Sequence, residues 1–96
     1  MPRNRYLVSY DITEDKRRTR LAKSMEGYGD RVQYSVFLCD LNARELVQLR
    51  TAIHAIVHQR DDQALIVDLG PADGRADRRV TTIGRPLEPP VRARIV

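Results

Sequence analysis

The stretch "YLVSYDITEDKRRTR", residues 6–20, decides the fold. Its first half alternates between two faces: apolar side chains recur at 6, 8, 10 and 12, whereas Leu7, Ser9 and Asp11 lie between them. An alternation of period two is typical of a β-strand with one well-buried face. We therefore expect a strand that ends near Asp11, with this carboxylate pointing away from the more apolar face.

The second half of the stretch predicts a helix. Thr13 is suited to cap it, and the carboxylates at 14 and 15 match the positive first turn. An apolar stripe follows at helical spacing, through residues 21, 22, 25 and 28, and Gly27 and Gly29 are expected to end the helix. Arg18 shares this stripe, whereas Arg17, Arg20 and Lys23 fall largely on its polar flank.

Further elements follow in the same alternating order. "RVQYSVFLCDL", 31–41, is either one bent strand or two short strands that meet near Ser35, and periodicity leaves both open. "NARE", 42–45, is a capping box that predicts a second amphipathic helix over 43–59. Short strands are predicted at "QALIVDL", 63–69, and, after a turn-rich loop, at "RVTTIG", 79–84.

This order predicts an α+β fold of the ferredoxin-like type, βαββαβ plus a late strand, with two helices on one face of an antiparallel sheet. That plan leaves the other sheet face bare, which invites a partner or a ligand, and a symmetric dimer would cover it. We expect one ferredoxin-like domain over residues 1–84 and a proline-containing C-terminal tail over 85–96.

Composition points to an anionic partner. The 96 residues carry a formal net charge of +4, and the isoelectric point is about 9.7. Nucleic acid is the commonest partner of such a chain, although a solvated basic surface would give the same numbers. A lone Cys39 and the lack of an apolar run of membrane-spanning length favour a cytoplasmic protein with no membrane partner.

Asp11 has two readings from the residues alone. It is either a turn residue ahead of the helix or an acidic ligand at the end of a strand. One carboxylate makes a poor Mg²⁺ site, but twofold symmetry would supply a second. His54 and His58 share helical spacing but lack further ligands, so we expect no zinc site there. Nearby cations could hold phosphates: Lys16, Arg17, Arg18, Arg20, Lys23 and Arg31.

The strings "YLVSYDIT-x-x-K-R-R" and "RVQYSVFLCDL", followed by a capped helix, resemble the family of small CRISPR-associated endonucleases that partner the CRISPR spacer integrase. The resemblance covers residues 5–70. It implies a homodimer in which the late strand extends the partner's sheet and Asp11 from both subunits holds one Mg²⁺ for phosphodiester hydrolysis. Tyr10 precedes this catalytic aspartate in the motif.

The same resemblance assigns roles to the flanking residues. Arg18, Arg20 and Arg31 would bind phosphates beside Arg17, Ser35 would support the site, and Phe37 would pack the dimer interface. The substrate is then RNA or double-stranded DNA. Two alternatives remain open: a non-catalytic DNA-binding scaffold of the spacer-integration complex, and a toxin-like ribonuclease of related fold.

Overall fold

The computed structural model describes residues 2–87. It confirms the predicted order of strands and helices: β1 Asn4–Asp11, α1 Asp15–Met25, β2 Asp30–Gln33, β3 Val36–Leu41, α2 Ala43–Ile56 and β4 Gln63–Pro71, followed by a 3-10 turn, Arg75–Arg79. Neither of the helices in this part of the chain has the length and apolarity needed to cross a membrane.

The sheet has the strand order β2–β3–β1–β4, with every neighbouring pair antiparallel. This is the α+β, ferredoxin-like arrangement that the sequence predicts. β1 lies in the interior, where Val8 pairs with Phe37 of β3 on one side and with Ile66 of β4 on the other. The strand that carries Asp11 is therefore held along both of its edges.

Both helices pack on one face of this sheet. The predicted alternation in β1 is confirmed, since its apolar face is buried while Asp11 is exposed. Leu21 of α1 and Leu49 of α2 are fully buried against the same core. Burial of a side chain of this size contributes roughly 1.5–3 kcal/mol. The buried face of the first strand and its extension comprises Tyr6, Val8, Tyr10 and Ile12.

The open question over residues 31–41 is resolved in favour of two strands. β2 and β3 form a hairpin whose turn is Tyr34–Ser35. Gly29, just before β2, lies so close to β3 that a Cβ there would overlap the Leu38 carbonyl and the Cys39 sulfur. Cys39 is completely buried, so glycine is needed at 29 for the chain to pass this crowded point.

The start of α1 differs from the prediction. The residue before the helix is Glu14, which makes no side-chain capping hydrogen bond, so Thr13 is not the cap. The Thr13 backbone N–H and hydroxyl instead donate to Asp62 Oδ1, at 3.0 and 3.3 Å. The hydroxyl that the local pattern assigned to helix capping therefore donates to a carboxylate that is distant in sequence.

The capping box of α2 is confirmed. Asn42 Oδ1 accepts from the Glu45 backbone N–H at 2.9 Å, and Glu45 Oε1 accepts from the Asn42 N–H at 2.8 Å. The helix ends at Ile56, three residues before the predicted end, because Val57 is extended with φ −68° and ψ 134°. The next N–H, of His58, donates to the Asp62 carboxylate at 2.8 Å.

The late strand predicted at 79–84 does not form within this chain. Arg79 ends the 3-10 turn, and residues 80–83 have no regular structure, although Val80 has an extended backbone (φ −116°, ψ 117°). A strand needs a partner edge to satisfy its N–H and C=O groups, and residues 79–84 pair with neither edge of this chain's sheet. Pairing across a dimer stays a prediction, as does the boundary at 84/85; residues 88–96 of the tail lie outside the described residues.

The face expected to be bare is partly covered by the chain itself. Arg5 lies on this face, is 4% exposed, and pairs with Asp40 at 2.7 Å and with Asp77 of the 3-10 turn. Leu38, on the same face, is buried, and so is Ala76 of the turn. The prediction of an entirely bare face was therefore wrong at this end of β1, because an ion pair fastens the turn over it. The other end, around Asp11, stays open.

Candidate functional site

Asp11 ends β1 at the open end of the sheet. It is exposed, and its backbone pairs with Gln63 of β4. Ser9 precedes it by one step on the same face and pairs with Leu65, which is 52% exposed. The carboxylate thus lies at the end of a sheet face that is solvent-exposed and partly apolar around Ser9 and Leu65.

The turn between β2 and β3 flanks β1 at this end. Ser35 contributes its carbonyl oxygen, which accepts from the Tyr10 backbone N–H at 3.1 Å. This bond extends the β1–β3 pairing by one residue beyond Ser9 and Val36. The structure thus places Ser35 beside the residue that precedes Asp11, in a position to support the strand end.

Arg18 folds back from α1 onto the end of β1. Its Nε and Nη2 donate to the Ile12 carbonyl oxygen at 3.3 and 3.0 Å, and its Nη1 donates to Asp15 Oδ1 at 2.6 Å. The hydrogen bond to Asp15 is the main cause that raises the pKa of Arg18. These hydrogen bonds hold the positive charge of Arg18 at the carbonyl of Ile12, the residue after Asp11.

Arg31 is held by the hairpin turn. Its Nε and Nη2 donate to the Tyr34 carbonyl oxygen at 2.9 and 2.6 Å, and its guanidinium carbon lies 5.3 Å from the centre of the Tyr34 ring. The same group lies 5.8 Å from the Phe37 ring centre. At such distances a guanidinium is attracted to an aromatic face. The backbone and two rings therefore orient this cation.

Phe37 does not lie at a surface where a second subunit could contact it. It is 0% exposed and stacks on Tyr10 with ring centres 6.3 Å apart, inside the core of this chain. The expectation that Phe37 packs the dimer interface was wrong, because alternation along β3 turns it towards the helices. Its contacts are instead with the Tyr10 ring and the Arg31 guanidinium.

Tyr10 lies beneath the site. It is 5% exposed, and its buried hydroxyl interacts with the Arg31 side chain. Burial raises the pKa of Tyr10, while the charge of Arg31 acts in the opposite direction.

Arg17 and Arg20 differ sharply in environment. Arg17 Nε donates to Asp62 Oδ2 at 2.8 Å, and the Arg17 side chain is 23% exposed. Arg20 is exposed and forms no hydrogen bond or ion pair within residues 2–87. The structure thus leaves Arg20 available to a phosphate, whereas Arg17 already holds a carboxylate.

Asp62 is the residue that sequence reasoning missed. Its side chain is fully buried and accepts hydrogen bonds from Thr13, Arg17 and the His58 N–H. The hydrogen bond from Arg17 is the main cause that holds the pKa of Asp62 well below its usual value. Because "RDDQ", 60–63, carries only the signal of a helix end, nothing local distinguishes Asp62 from its exposed neighbour Asp61.

A single chain offers few ligands for a metal ion. The described residues contain no group of three or more His, Cys, Asp or Glu that could hold one. His58 Nδ1 accepts from the backbone N–H groups of Arg60 and Asp61, both at 3.2 Å, and so stabilises a turn. Within one chain Asp11 therefore offers a single carboxylate, and a metal site here would need further ligands from outside the chain.

Comparison with known proteins identifies the family. The model of CRISPR associated protein Cas2 matches residues 4–75. The chain belongs to the Cas2 family. A curated relative, the CRISPR-associated endoribonuclease Cas2 of Geobacter sulfurreducens, is 40% identical over 91 residues, which is 95% of each chain. These are the small CRISPR-associated endonucleases that the sequence resembles.

Solved Cas2 structures share the fold. The crystal structure of Streptococcus pyogenes Cas2 at pH 6.5 matches with a TM-score of 0.73 and 33% identity, covering 83% of this chain and 99% of the other. A chain of a partial Cas6-RT-Cas1–Cas2 complex matches with a TM-score of 0.64 and 27% identity, covering 83% and 90%. The family assignment supports a metal-dependent nuclease of CRISPR adaptation.

Proposed function

We propose that this Cas2 protein is an Mg²⁺-dependent endonuclease that hydrolyses phosphodiester bonds of RNA, double-stranded DNA or both during CRISPR adaptation. The observation that carries this proposal is the exposed Asp11 at the end of β1, with the guanidinium of Arg18 fixed on the adjacent Ile12 carbonyl. A carboxylate beside oriented cations fits a metal-bound phosphate. Curated relatives named endoribonucleases point to the same activity.

A homodimer would complete the site. Asp11 shares its sheet face with Leu65 and Val67, which are 52% and 45% exposed. An apolar surface of this kind is stabilised when a second copy covers it. Twofold packing of these faces brings the two Asp11 side chains together across the axis, and two carboxylates repel unless a cation lies between them.

The donor chemistry of this pair suits Mg²⁺. The ion prefers oxygen ligands and retains several waters, so two carboxylates with water and a substrate phosphate satisfy it. When bound, Mg²⁺ would polarise the phosphate and make bound water more acidic. Asp11 from each subunit would hold the ion, while Arg18, Arg20 and Arg31 neutralise phosphate oxygens. Arg17 would act indirectly, by holding Asp62, and Tyr10 would act by supporting the end of β1.

The partner is proposed to be the CRISPR integrase. The fold matches a chain of a structure described as a Cas6-RT-Cas1–Cas2 complex, in which a Cas2 protein is assembled with Cas1. Because adaptation acts on nucleic acid inside the cell, we place this chain in the cytoplasm. The same match favours a second function, a DNA-binding scaffold whose contribution to adaptation does not need hydrolysis.

Cleavage assays test the proposal. Wild type and Asp11→Asn are incubated with RNA or duplex DNA, with Mg²⁺ and with chelator. We expect Mg²⁺-dependent cleavage by wild type and a loss of about 100-fold or more in the variant, because its amide carries no charge to bind the ion. Two results together would favour the scaffold: purified wild type shows no Mg²⁺-dependent cleavage, and cells that carry Asp11→Asn still acquire spacers. The genes beside this one test the remaining alternative: an adjacent integrase gene and repeat array would argue against a toxin-like ribonuclease.

A further inference from the structure

The 3-10 turn after β4 lies against the exposed face of the sheet instead of continuing in line with that strand. Ala76, inside the turn, is completely buried, and Asp77 pairs with Arg5 of β1. At the end of the turn, the Arg79 guanidinium lies beside Gly70 of β4. The chain is therefore attached to its own sheet as far as the last residue of the turn.

Arg5 is the centre of this attachment. Its Nε and Nη2 donate to the two carboxylate oxygens of Asp40 at 2.7 and 3.0 Å, and its Nη1 donates to Asp77. Arg5 is 4% exposed, whereas the Asp77 side chain is 53% exposed. A buried guanidinium needs acceptors for its N–H groups, and Asp40 occupies only two of its nitrogens. Asp77 provides the acceptor for the third and ties the turn to β1.

A segment without regular structure begins directly after this attachment. Val80, three residues after Asp77, has an extended backbone, and residues 81–84 are exposed. A segment that must be ordered before it can bind associates more weakly, because the lost conformational freedom opposes association. The turn fixes the start of this segment on the face that a second copy would cover. The segment therefore has less freedom to lose when it pairs with that copy.

We propose that Arg5 is a positioning residue for dimer assembly: its ion pair with Asp77 fixes the start of residues 80–84, so that this segment leaves the domain towards the second copy. The inference rests on the proposed function, because Asp11 becomes a site of two carboxylates only in the dimer. Arg5 and Asp11 lie on the same face of β1 but six residues apart, about 20 Å along a strand. Arg5 therefore acts on the site through assembly, and not by contact with the substrate or the metal ion.

Removal of the Asp77 carboxylate tests this role, because Arg5 then keeps Asp40 as its partner. Asp77→Ala is expected to raise the dimer dissociation constant about tenfold in analytical ultracentrifugation, since the turn must then be ordered in both copies. Asp77→Glu keeps the charge and should retain the wild-type constant. Asp73→Asn is the matched control: it removes one charge just before the turn, where Asp73 pairs with the exposed Arg75 at 2.7 Å, and should dimerise like wild type.

Cleavage and hydrogen exchange distinguish positioning from a general loss of fold. Asp77→Ala should cleave like wild type at concentrations at which both proteins are dimeric, and less than wild type at lower concentrations. Amides of residues 72–79 should exchange faster in Asp77→Ala, while those of α2 stay unchanged. Ile83→Asp changes the exposed segment and leaves the Arg5 ion pairs intact, so it should weaken the dimer while its turn stays protected.

Three results would overturn the inference: equal dissociation constants for wild type and Asp77→Ala, faster exchange in α2 as well as in the turn, or a wild-type chain that stays monomeric. Equal constants together with Asp11-dependent cleavage would leave the proposed function standing. A raised constant and a faster-exchanging turn, in a protein without Mg²⁺-dependent cleavage, would support the role of Arg5 and contradict the nuclease alone.

Discussion

The Asp62 carboxylate connects three parts of the chain next to the site: the turn before α1, α1 itself and the segment that follows α2. Its carboxylate binds the Thr13 N–H, the Arg17 guanidinium and the His58 N–H, at 3.0, 2.8 and 2.8 Å. Thr13 follows Asp11 by two residues, and Gln63, next to Asp62, pairs with Asp11 in the sheet. A buried acceptor that satisfies several donors is costly to remove, since each donor then loses its partner.

We predict that Asp62→Asn lowers the melting temperature markedly, because an amide cannot accept from all of these donors and leaves Arg17 with only the more exposed Glu14 as a charged partner. Asp61→Asn is the matched control. Asp61 is exposed, and its carboxylate lies 3.5 Å from His58 Nδ1, so this change should shift stability by no more than about 0.5 kcal/mol. Thermal unfolding followed by circular dichroism measures both; equal melting temperatures for the two variants would contradict the role given to Asp62.

The loss of unfolding free energy at acid pH should also depend on Asp62. Its pKa is lower in the folded chain than the value of about 3.9 in an unfolded chain, so its contribution is complete above that pH. As pH falls below about 4 towards the folded pKa, the contribution disappears. Urea titrations between pH 5 and 2.5 should therefore show a steeper loss of unfolding free energy in wild type than in Asp62→Asn. Parallel curves for the two proteins would show that Asp62 is not linked to acid unfolding.

At the scale of elements, features that depend on neighbouring residues could be predicted from the sequence, whereas features that depend on distant contacts could not. The alternation of β1 and the Asn42–Glu45 capping box need only neighbouring residues, and both are confirmed. The end of α2 and the true partner of Thr13 depend on Asp62, which is 49 residues away from Thr13. The 3-10 turn over the sheet depends on a pair between Arg5 and Asp77, 72 residues apart. No periodicity encodes such pairs.

The candidate site divides in the same way. Asp11 could be placed at the end of β1 from the strand pattern alone, whereas the contact of Arg18 with the Ile12 carbonyl could not. The placement of Arg17 on a buried carboxylate, and of Phe37 in the core, required the register of β3 and the position of β4. The sequence therefore predicted the charged groups of the site, but not which of them already form ion pairs or hydrogen bonds within the chain.

The segment that follows the 3-10 turn yields a prediction about assembly. Ile83 is 97% exposed in the single chain, an unfavourable position for a large apolar side chain. If residues 79–84 add a strand to the partner's sheet, its burial there contributes roughly 1.5–3 kcal/mol. Ile83→Asp should then raise the dimer dissociation constant at least about tenfold, and deletion of 79–96 should raise it further.

Analytical ultracentrifugation over a range of concentrations measures this effect. Ile83→Val, which keeps an apolar β-branched side chain, is the control and should dissociate like wild type. Asp11-dependent cleavage should fall in parallel with the dimer fraction. A truncated chain that stays dimeric at micromolar concentration, with unchanged cleavage, would show that this segment does not hold the subunits together.

The molecule as a whole is a basic domain, with a net charge of +4, and its binding of nucleic acid should weaken steeply with salt. Each phosphate neutralised by a cation contributes a slope of about −0.7 for single strands or −0.9 for duplex in a plot of log affinity against log salt. Arg20→Ala should reduce that slope by about one contact. Arg44→Ala, an exposed arginine at the other end of β1, is the control and should leave the slope unchanged. A flat salt dependence would mean that the basic helix is ordinary solvated surface.

The central claim concerns two copies of the chain: Asp11 from both subunits holds one metal ion. A titration with Mn²⁺, which shares the oxygen ligands of Mg²⁺ and is followed by electron paramagnetic resonance, measures the stoichiometry directly. The account predicts one bound ion for every two wild-type chains, and none in Asp11→Asn, which should still be a dimer. One ion per chain, or binding that survives Asp11→Asn, would contradict a shared site.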